Sequence, residues 1–402
     1  MDERLKKEFS WPLFLSPFVS RLGDALFVFG LNWFIVKATG HASLLGIVQG
    51  IGGIILVAGD LFAGPLVDKY NRKLIMLLAD AISFFACLGM AAVMDVNEPV
   101  FYQLVLLTCV IDIGLAFNFP AAKAVVPEII RHDKLSIFNS WSNTGLTLAD
   151  IIAPLLGGFL LTLHWIDFRS FLMINAISFL LSFIFTWVLK YVPEQKHDKE
   201  SMPVFKSLAN GLGYVRNNQD VFRLIIFDAI LAAMYAGFTL LLPYDVDRYY
   251  HGDERLYSYV LTLVAVGGLL GGLSLVLNKQ KPKIKHNYQD AFILGMALII
   301  TGVWVNYQVL LVMALIYGFY TSRMSIRMMT IVQNVTEIAY LGRVFSIWFL
   351  CFDSMHPFGS FIFGFISDWF NHGTFFVLGG LVLFGLLVVY LMGRTPDRKK
   401  VS

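Results

Sequence analysis

The chain has 402 residues, 57% of them hydrophobic and only 15% charged, with a formal net charge of +3. Soluble domains average about 25% charged residues, so composition argues against a water-soluble globule, and the small net charge offers no electrostatic footprint for nucleic acid. A mean hydropathy of +0.69, spread along the whole chain, fits helices whose outer surfaces face lipid.

Ten mostly polar N-terminal residues precede a long apolar run. They lack the short apolar core and small-residue cleavage site of a signal peptide, so that run is expected to be the first span. Runs long enough to cross about 30 Å at 1.5 Å per residue fall roughly at 11–36, 43–67, 74–94, 100–127, 137–163 and 168–189. A second set falls near 220–243, 257–277, 289–305, 308–333, 344–369 and 374–392. The ninth and tenth are separated by almost nothing around Asn306, which keeps eleven spans open beside twelve. The expected fold class is an all-α membrane protein of twelve transmembrane helices in two six-helix bundles. The expected domains are residues 1–190, a cytoplasmic linker at 191–219, and residues 220–402 with the tail. Within the linker Phe205, Leu208, Leu212 and Val215 recur at helical spacing and predict a short amphipathic surface helix.

With both termini cytoplasmic, the inner loops and tails hold most of the 31 Lys and Arg residues. The outer loops hold only Lys37, Arg169, Arg248 and Arg255. That asymmetry follows the positive-inside rule and sets the expected orientation. Cys87, Cys109 and Cys351 lie far apart in apolar runs, with neither a disulfide framework nor metal-ligand spacing.

Ionisable groups inside spans are costly and tend to mark function. Arg21 and Asp24 are three residues apart on span one and could pair across one helix face. Asp353 and His356 share a face on span eleven, and Arg323 and Arg327 offer a double positive edge on span ten. Asp112 and Asp150 lie mid-span; Asp60 and Asp228 lie nearer the cytoplasm. Proton coupling needs a carboxylate that gains and loses a proton as access alternates. Asp24 leads that group, with Asp112, Asp150 and Asp353 behind it, although a tight Arg21 pair would make Asp24 structural. The expected substrate cavity comprises Arg21, Asp24, Trp33, Trp141, Asp228, Tyr235, Arg323, Arg327, Trp348 and His356; any one of the aromatics could instead face lipid, and His356 could be a packing residue. No G-x-x-x-x-G-K-[ST] occurs to bind ATP, and neither an H-E-x-x-H nor a nucleophile elbow points to an enzyme. The expected energy source is an ion gradient rather than a bound cofactor.

After span two the chain reads Gly64-Pro65-Leu66-Val67-Asp68-Lys69-Tyr70-Asn71-Arg72-Lys73. This resembles the G-x-x-x-D-R-x-G-R-K signature of the major facilitator superfamily, with Lys69 and Asn71 in place of Arg and Gly. Asn71 is expected to take the left-handed turn that Gly would adopt. Span five carries Ala153-Pro154-Leu155-Leu156-Gly157-Gly158, similar to the G-P-x-x-G-G motif of facilitator antiporters. Further stretches, among them Phe119-Pro120-Ala121-Ala122, Asn175-Ala176-Ile177-Ser178-Phe179 and Leu341-Gly342-Arg343-Val344, resemble the macrolide-efflux and enterobactin-exporter branch. The resemblance implies a monomeric secondary transporter of the bacterial plasma membrane that moves amphiphilic small molecules, with a siderophore exporter as the alternative and a lysophospholipid flippase or membrane sensor behind that. It implies a conformational gate of Gly64, Asp68, Arg72, Glu128, Pro154, Gly157, Gly158 and Arg343, in which Asp68 faces the start of span eleven near Arg343 and Arg72 pairs with Glu128. A solvated turn at Asp68–Lys73 and plain helix packing at Pro154–Gly158 are the alternatives.

Overall fold

The computed structural model describes residues 7–95, 100–163, 165–191, 204–277, 283–367 and 374–394. Among them lie thirteen α-helices and no β-strand: α1 (Trp11–Thr39), α2 (Ala42–Lys69), α3 (Arg72–Val93), α4 (Phe101–Ile129), α5 (Leu135–Leu161), α6 (Phe168–Val188), α7 (Val204–Asn217), α8 (Gln219–Arg248), α9 (Glu254–Leu277), α10 (Ile284–Val303), α11 (Tyr307–Val335), α12 (Ile338–Ser367) and α13 (Thr374–Arg394). Eleven of these are long and apolar enough to cross a membrane. At 20 residues α10 also covers about 30 Å, but its first turns carry Lys285, His286, Asn287, Gln289 and Asp290. Those polar residues set it apart from the eleven; with α10, twelve long helices accompany the short α7.

Local chemistry sets the ends of the helices. Gly40 stops α1 in a left-handed conformation (φ 67°), its N–H bonding Val36 O at 2.8 Å, as glycine at a helix end allows. Asp167 and Ser170 form a capping box at the start of α6. Asn306 accepts from the Gln308 N–H at 2.8 Å and opens α11 only three residues beyond α10. The brief polar break between the ninth and tenth runs is therefore a cap between two helices. Asn71 differs from expectation. Its φ of −65° is extended rather than left-handed, and its side chain accepts from the Leu74 N–H at 3.3 Å as the N-cap of α3. Asn suits this position through its side-chain oxygen, not through tolerance of positive φ.

The chain divides into two compact units, Met1–Lys199 with Asp253–Thr262, and Glu200–Gly252 with Leu263–Ser402. In the first unit α1 packs on α5 and α6, α3 on α4 and α6, and α2 on α4. In the second, α8 packs on α12 and α13, and α10 on α11 and α13, the same pairing pattern displaced by seven helices. There α9 and α11 touch through glycines: a Cβ at Gly318 would lie 1.8 Å from Val264 O, so only glycine permits the approach. The amphipathic α7 lies against α12. Tyr214 stacks on Tyr340 at 4.5 Å and its hydroxyl accepts from the Glu337 N–H at 3.2 Å. Val215 is buried there and Leu212 is exposed; the side chains at 205 and 208 lie outside the described residues.

Both units invert the arrangement of a soluble protein. Along α3, Asp80, Ser83 and Cys87 are buried whereas Leu78, Ile82 and Phe85 are more than half exposed. Polar groups inside and apolar groups outside is the pattern that lipid favours over water. At one end of the first unit Lys7 forms a parallel bridge with Ile130: the Lys7 N–H donates to Ile129 O (2.8 Å) and Lys7 O accepts from the Arg131 N–H (2.9 Å). Arg131 also meets Glu8 at 3.2 Å, and Phe9 packs on Phe138 at 5.2 Å.

Candidate functional site

The first unit gathers its ionisable groups on α1, α4 and α5. Arg21 Nε donates to Asp150 Oδ1 at 2.8 Å, with both side chains about half exposed. Asp150, on the packed helix α5, is a partner of Arg21 that helical spacing does not offer. Asp24 is buried, 6% exposed, within electrostatic reach of Arg21, Asp150 and Asp112. Asp112 closes against α2, where a Cβ at Gly52 would stand 2.3 Å from its Oδ2. Near one end of α1, Gln49 Nε2 donates to Asn32 Oδ1 at 3.0 Å.

Beside these lies a largely buried network. Asp80 accepts from Asn118 (2.7 Å) and Ser182 (2.8 Å), and Ser16 bonds Ser182 (3.0 Å) and Thr186 (2.9 Å). It ties α1, α3, α4 and α6 together with both Asp80 carboxylate oxygens satisfied, as a buried acid requires.

The second unit centres on Asp290. Its Oδ2 meets Arg327 Nη2 at 2.9 Å and Arg323 Nε at 3.2 Å. Arg327 also donates to Asn287 Oδ1 at 2.8 Å, and Asn287 Nδ2 to Met324 O at 3.2 Å. Two guanidiniums on one carboxylate leave a local charge of +1. Arg323 additionally sits over Phe319, 5.1 Å from the ring centre, a favourable cation–π geometry. Trp348 Nε1 donates to Asp228 Oδ2, with both residues 6% exposed. Asp353 and His356 are half-buried, and the His356 ring lies 6.3 Å from Tyr235 instead of pairing with Asp353. Tyr235 and Trp141 are exposed on their own units, whereas Trp33 is buried and stacked on Tyr257 at 5.6 Å.

The signature after span two builds a buried ion pair. Arg72, the first residue of α3, donates to Glu128 Oε1 and to the carbonyls of Ala124 (3.0 Å) and Val67 (3.4 Å). Lys73 Nζ donates to the Trp187 and Leu189 carbonyls, both at 2.8 Å, capping the end of α6. The side chains of Asp60, Gly64 and Asp68 lie outside the described residues. Arg343 sits over the Tyr340 ring at 5.4 Å, beneath Gly211 of α7.

In α5 the Pro154–Gly158 motif receives the first residues of α9, which belong to the first unit. Ser258 Oγ donates to Pro154 O at 2.7 Å. A Cβ at Gly158 would lie 2.2 Å from Ser258 Cβ, and one at Gly157 2.4 Å from Phe29 Cδ1. Phe29 stacks in turn on Tyr257 at 4.8 Å. The paired glycines are what let Ser258 and Phe29 reach the α5 backbone.

Sequence reasoning passed over Asp80, Asp245 and Asp290. Asp245 is buried and accepts from Thr374 Oγ1 across 129 residues; Asp290 meets arginines 33 and 37 residues away. The available signal was the presence of these acids in or beside apolar runs.

Long helices that turn apolar side chains outward and keep ion pairs and carboxylates within define a polytopic membrane carrier. The chain belongs to the Major Facilitator Superfamily, whose sequence profile matches residues 13–359, and is a transporter rather than an enzyme. It is 24% identical over 377 residues to macrolide efflux protein A of Streptococcus pyogenes, covering 92% of each chain. It is 22% identical over 394 residues to the staphyloferrin A transporter of Staphylococcus aureus, covering 95% of each. A bacterial homologue of the human lysosomal transporter Spinster superposes with a TM-score of 0.76 at 14% identity, over 95% of this chain and 96% of that one.

Proposed function

We propose that this chain is a secondary active exporter of small amphiphilic molecules, of multidrug or macrolide type, driven by proton antiport through alternating access. The supporting observation is the buried Asp24 on α1, within electrostatic reach of Arg21, Asp150 and Asp112 on three helices of one unit. A carboxylate in such a place can take a proton from one side and release it to the other as its surroundings change. One charge crossing 100 mV supplies about 2.3 kcal/mol, enough for roughly a 50-fold gradient at 1.4 kcal/mol per decade. On this reading the protein works as a monomer in the bacterial plasma membrane, with both termini cytoplasmic and no bound cofactor. Arg72–Glu128 and Pro154–Gly158 with Ser258 act as the gates.

A second reading, export of a carboxylate-bearing siderophore, is favoured by the excess positive charge of Arg323 and Arg327 over Asp290. Guanidinium groups suit carboxylates in bidentate geometry. The relative named for staphyloferrin A gives this reading its second support.

The test is transport by purified protein in liposomes under an imposed pH gradient, against dyes, macrolides and metal chelators. Gradient-driven movement of dye or macrolide that is lost in Asp24→Asn supports the first reading. Movement that ignores the gradient would remove proton coupling, and transport of chelators alone, abolished by Arg327→Gln, would favour the second.

A further inference from the structure

The second unit carries a groove that the transport reading does not use. It runs between α10 and α13, encloses about 820 Å³, and is walled by Tyr288, Phe292, Ile293, Leu383, Leu387 and Tyr390, with Lys285 at one end. The helices are antiparallel here, since Gly295 meets Leu383 and Gly379, and Gly302 meets Phe376. Lys285 and Tyr390 therefore share one end of the groove. Phe292, Leu387 and Tyr390 are each about half exposed, so the apolar wall faces outward, where lipid lies.

One end is basic: Lys283, the N-cap of α10, and Lys285 in its first turn are both exposed. The acid in the wall, Asp290, is already engaged by Arg323 and Arg327 and does not oppose an anion at Lys285. From Lys285 to Phe292 the groove extends about 10 Å at 1.5 Å per residue, most of the ~15 Å hydrocarbon depth of one leaflet.

We propose that this groove binds an anionic phospholipid, with the headgroup phosphate on Lys283 and Lys285 and an acyl chain along Ile293, Leu383 and Leu387. A basic end joined to an apolar channel of leaflet depth matches a charged head carrying a hydrocarbon tail, and a water-soluble anion has no use for the channel. Under the orientation proposed above, the lipid belongs to the cytoplasmic leaflet, where juxtamembrane lysines meet anionic headgroups.

The full chain, purified in detergent, is titrated with dioleoylphosphatidylglycerol or dioleoylphosphatidylcholine, and lipid adducts are counted by native mass spectrometry. Phosphatidylglycerol is expected to bind more tightly. Each lysine near a membrane surface contributes ~1 kcal/mol, about fivefold, so Lys283→Ala with Lys285→Ala should weaken binding about 25-fold. Leu387→Trp, a change at an exposed position that fills the channel without touching the lysines, should weaken it as well. Lys134→Ala with Lys190→Ala serves as the charge-matched control and should leave binding unchanged. Equal binding of the two lipids, an equal loss in the control, or full binding by Leu387→Trp would each overturn the proposal, the last by reducing it to a surface charge effect.

Discussion

Replacing Asp290 by Asn removes the one carboxylate that faces both Arg323 and Arg327. The Asp290 and Arg327 side chains are 7% and 5% exposed, so neither has much water to fall back on. Breaking a buried pair by deleting one partner costs about 3–5 kcal/mol, because an uncompensated charge stays behind. Arg323, 22% exposed and resting on Phe319, adds less, since solvent screens its share. Asn287 still accepts from Arg327, which favours the lower end, about 3 kcal/mol. The assay is equilibrium unfolding of the purified protein by sodium dodecyl sulfate in mixed micelles, followed by tryptophan fluorescence. Adding Arg327→Met to Asp290→Asn should restore part of the loss, because the stranded charge goes with it. A cost for Asp290→Asn under ~1 kcal/mol, or strictly additive losses in the double variant, would refute the view that this carboxylate neutralises a buried arginine.

The Arg72–Glu128 pair gives a parallel expectation: Glu128→Gln should destabilise the protein by about 3 kcal/mol, softened by the Val67 and Ala124 carbonyls that still face Arg72. Arg72→Met with Glu128→Leu should be closer to the parent in the same micelle unfolding assay, and a double variant as unstable as the single would count against a buried-charge explanation. At the α5–α9 contact, Gly158→Leu drives a side chain into the space of Ser258. A Ser258→Cys probe should then react with a membrane-impermeant maleimide faster in the Gly158→Leu background, and equal labelling rates would show that the glycine does not hold this contact.

Eleven of the twelve long helices were legible because each is announced by apolar residues over a bilayer's thickness, and the Arg72–Glu128 pair because its motif stands out from the surrounding chain. What escaped the sequence has a common cause. Helical spacing offers Asp24 as a partner for Arg21; packing of α1 on α5 supplies Asp150 as well, and no local pattern announces a residue 129 positions away. Asp290 was hidden in the same way, at the polar head of α10, because the arginines it meets lie 33 and 37 residues away on α11. Asn71 was misread because its alternatives share one motif position: a glycine there answers a need for backbone freedom, an asparagine a need for a side-chain acceptor. The α9–α11 contact was not legible either: only the approach of Val264 O explains why Gly318 has no side chain.

The short bridge between Lys7 and Ile130 has a practical consequence. Because the first described residues are stitched by backbone hydrogen bonds to the turn between α4 and α5, anything fused ahead of them hangs directly on that turn. A fluorescent reporter or affinity handle placed there would load the turn beside Glu128, whereas the same label at Trp165, exposed between α5 and α6, would leave it unburdened.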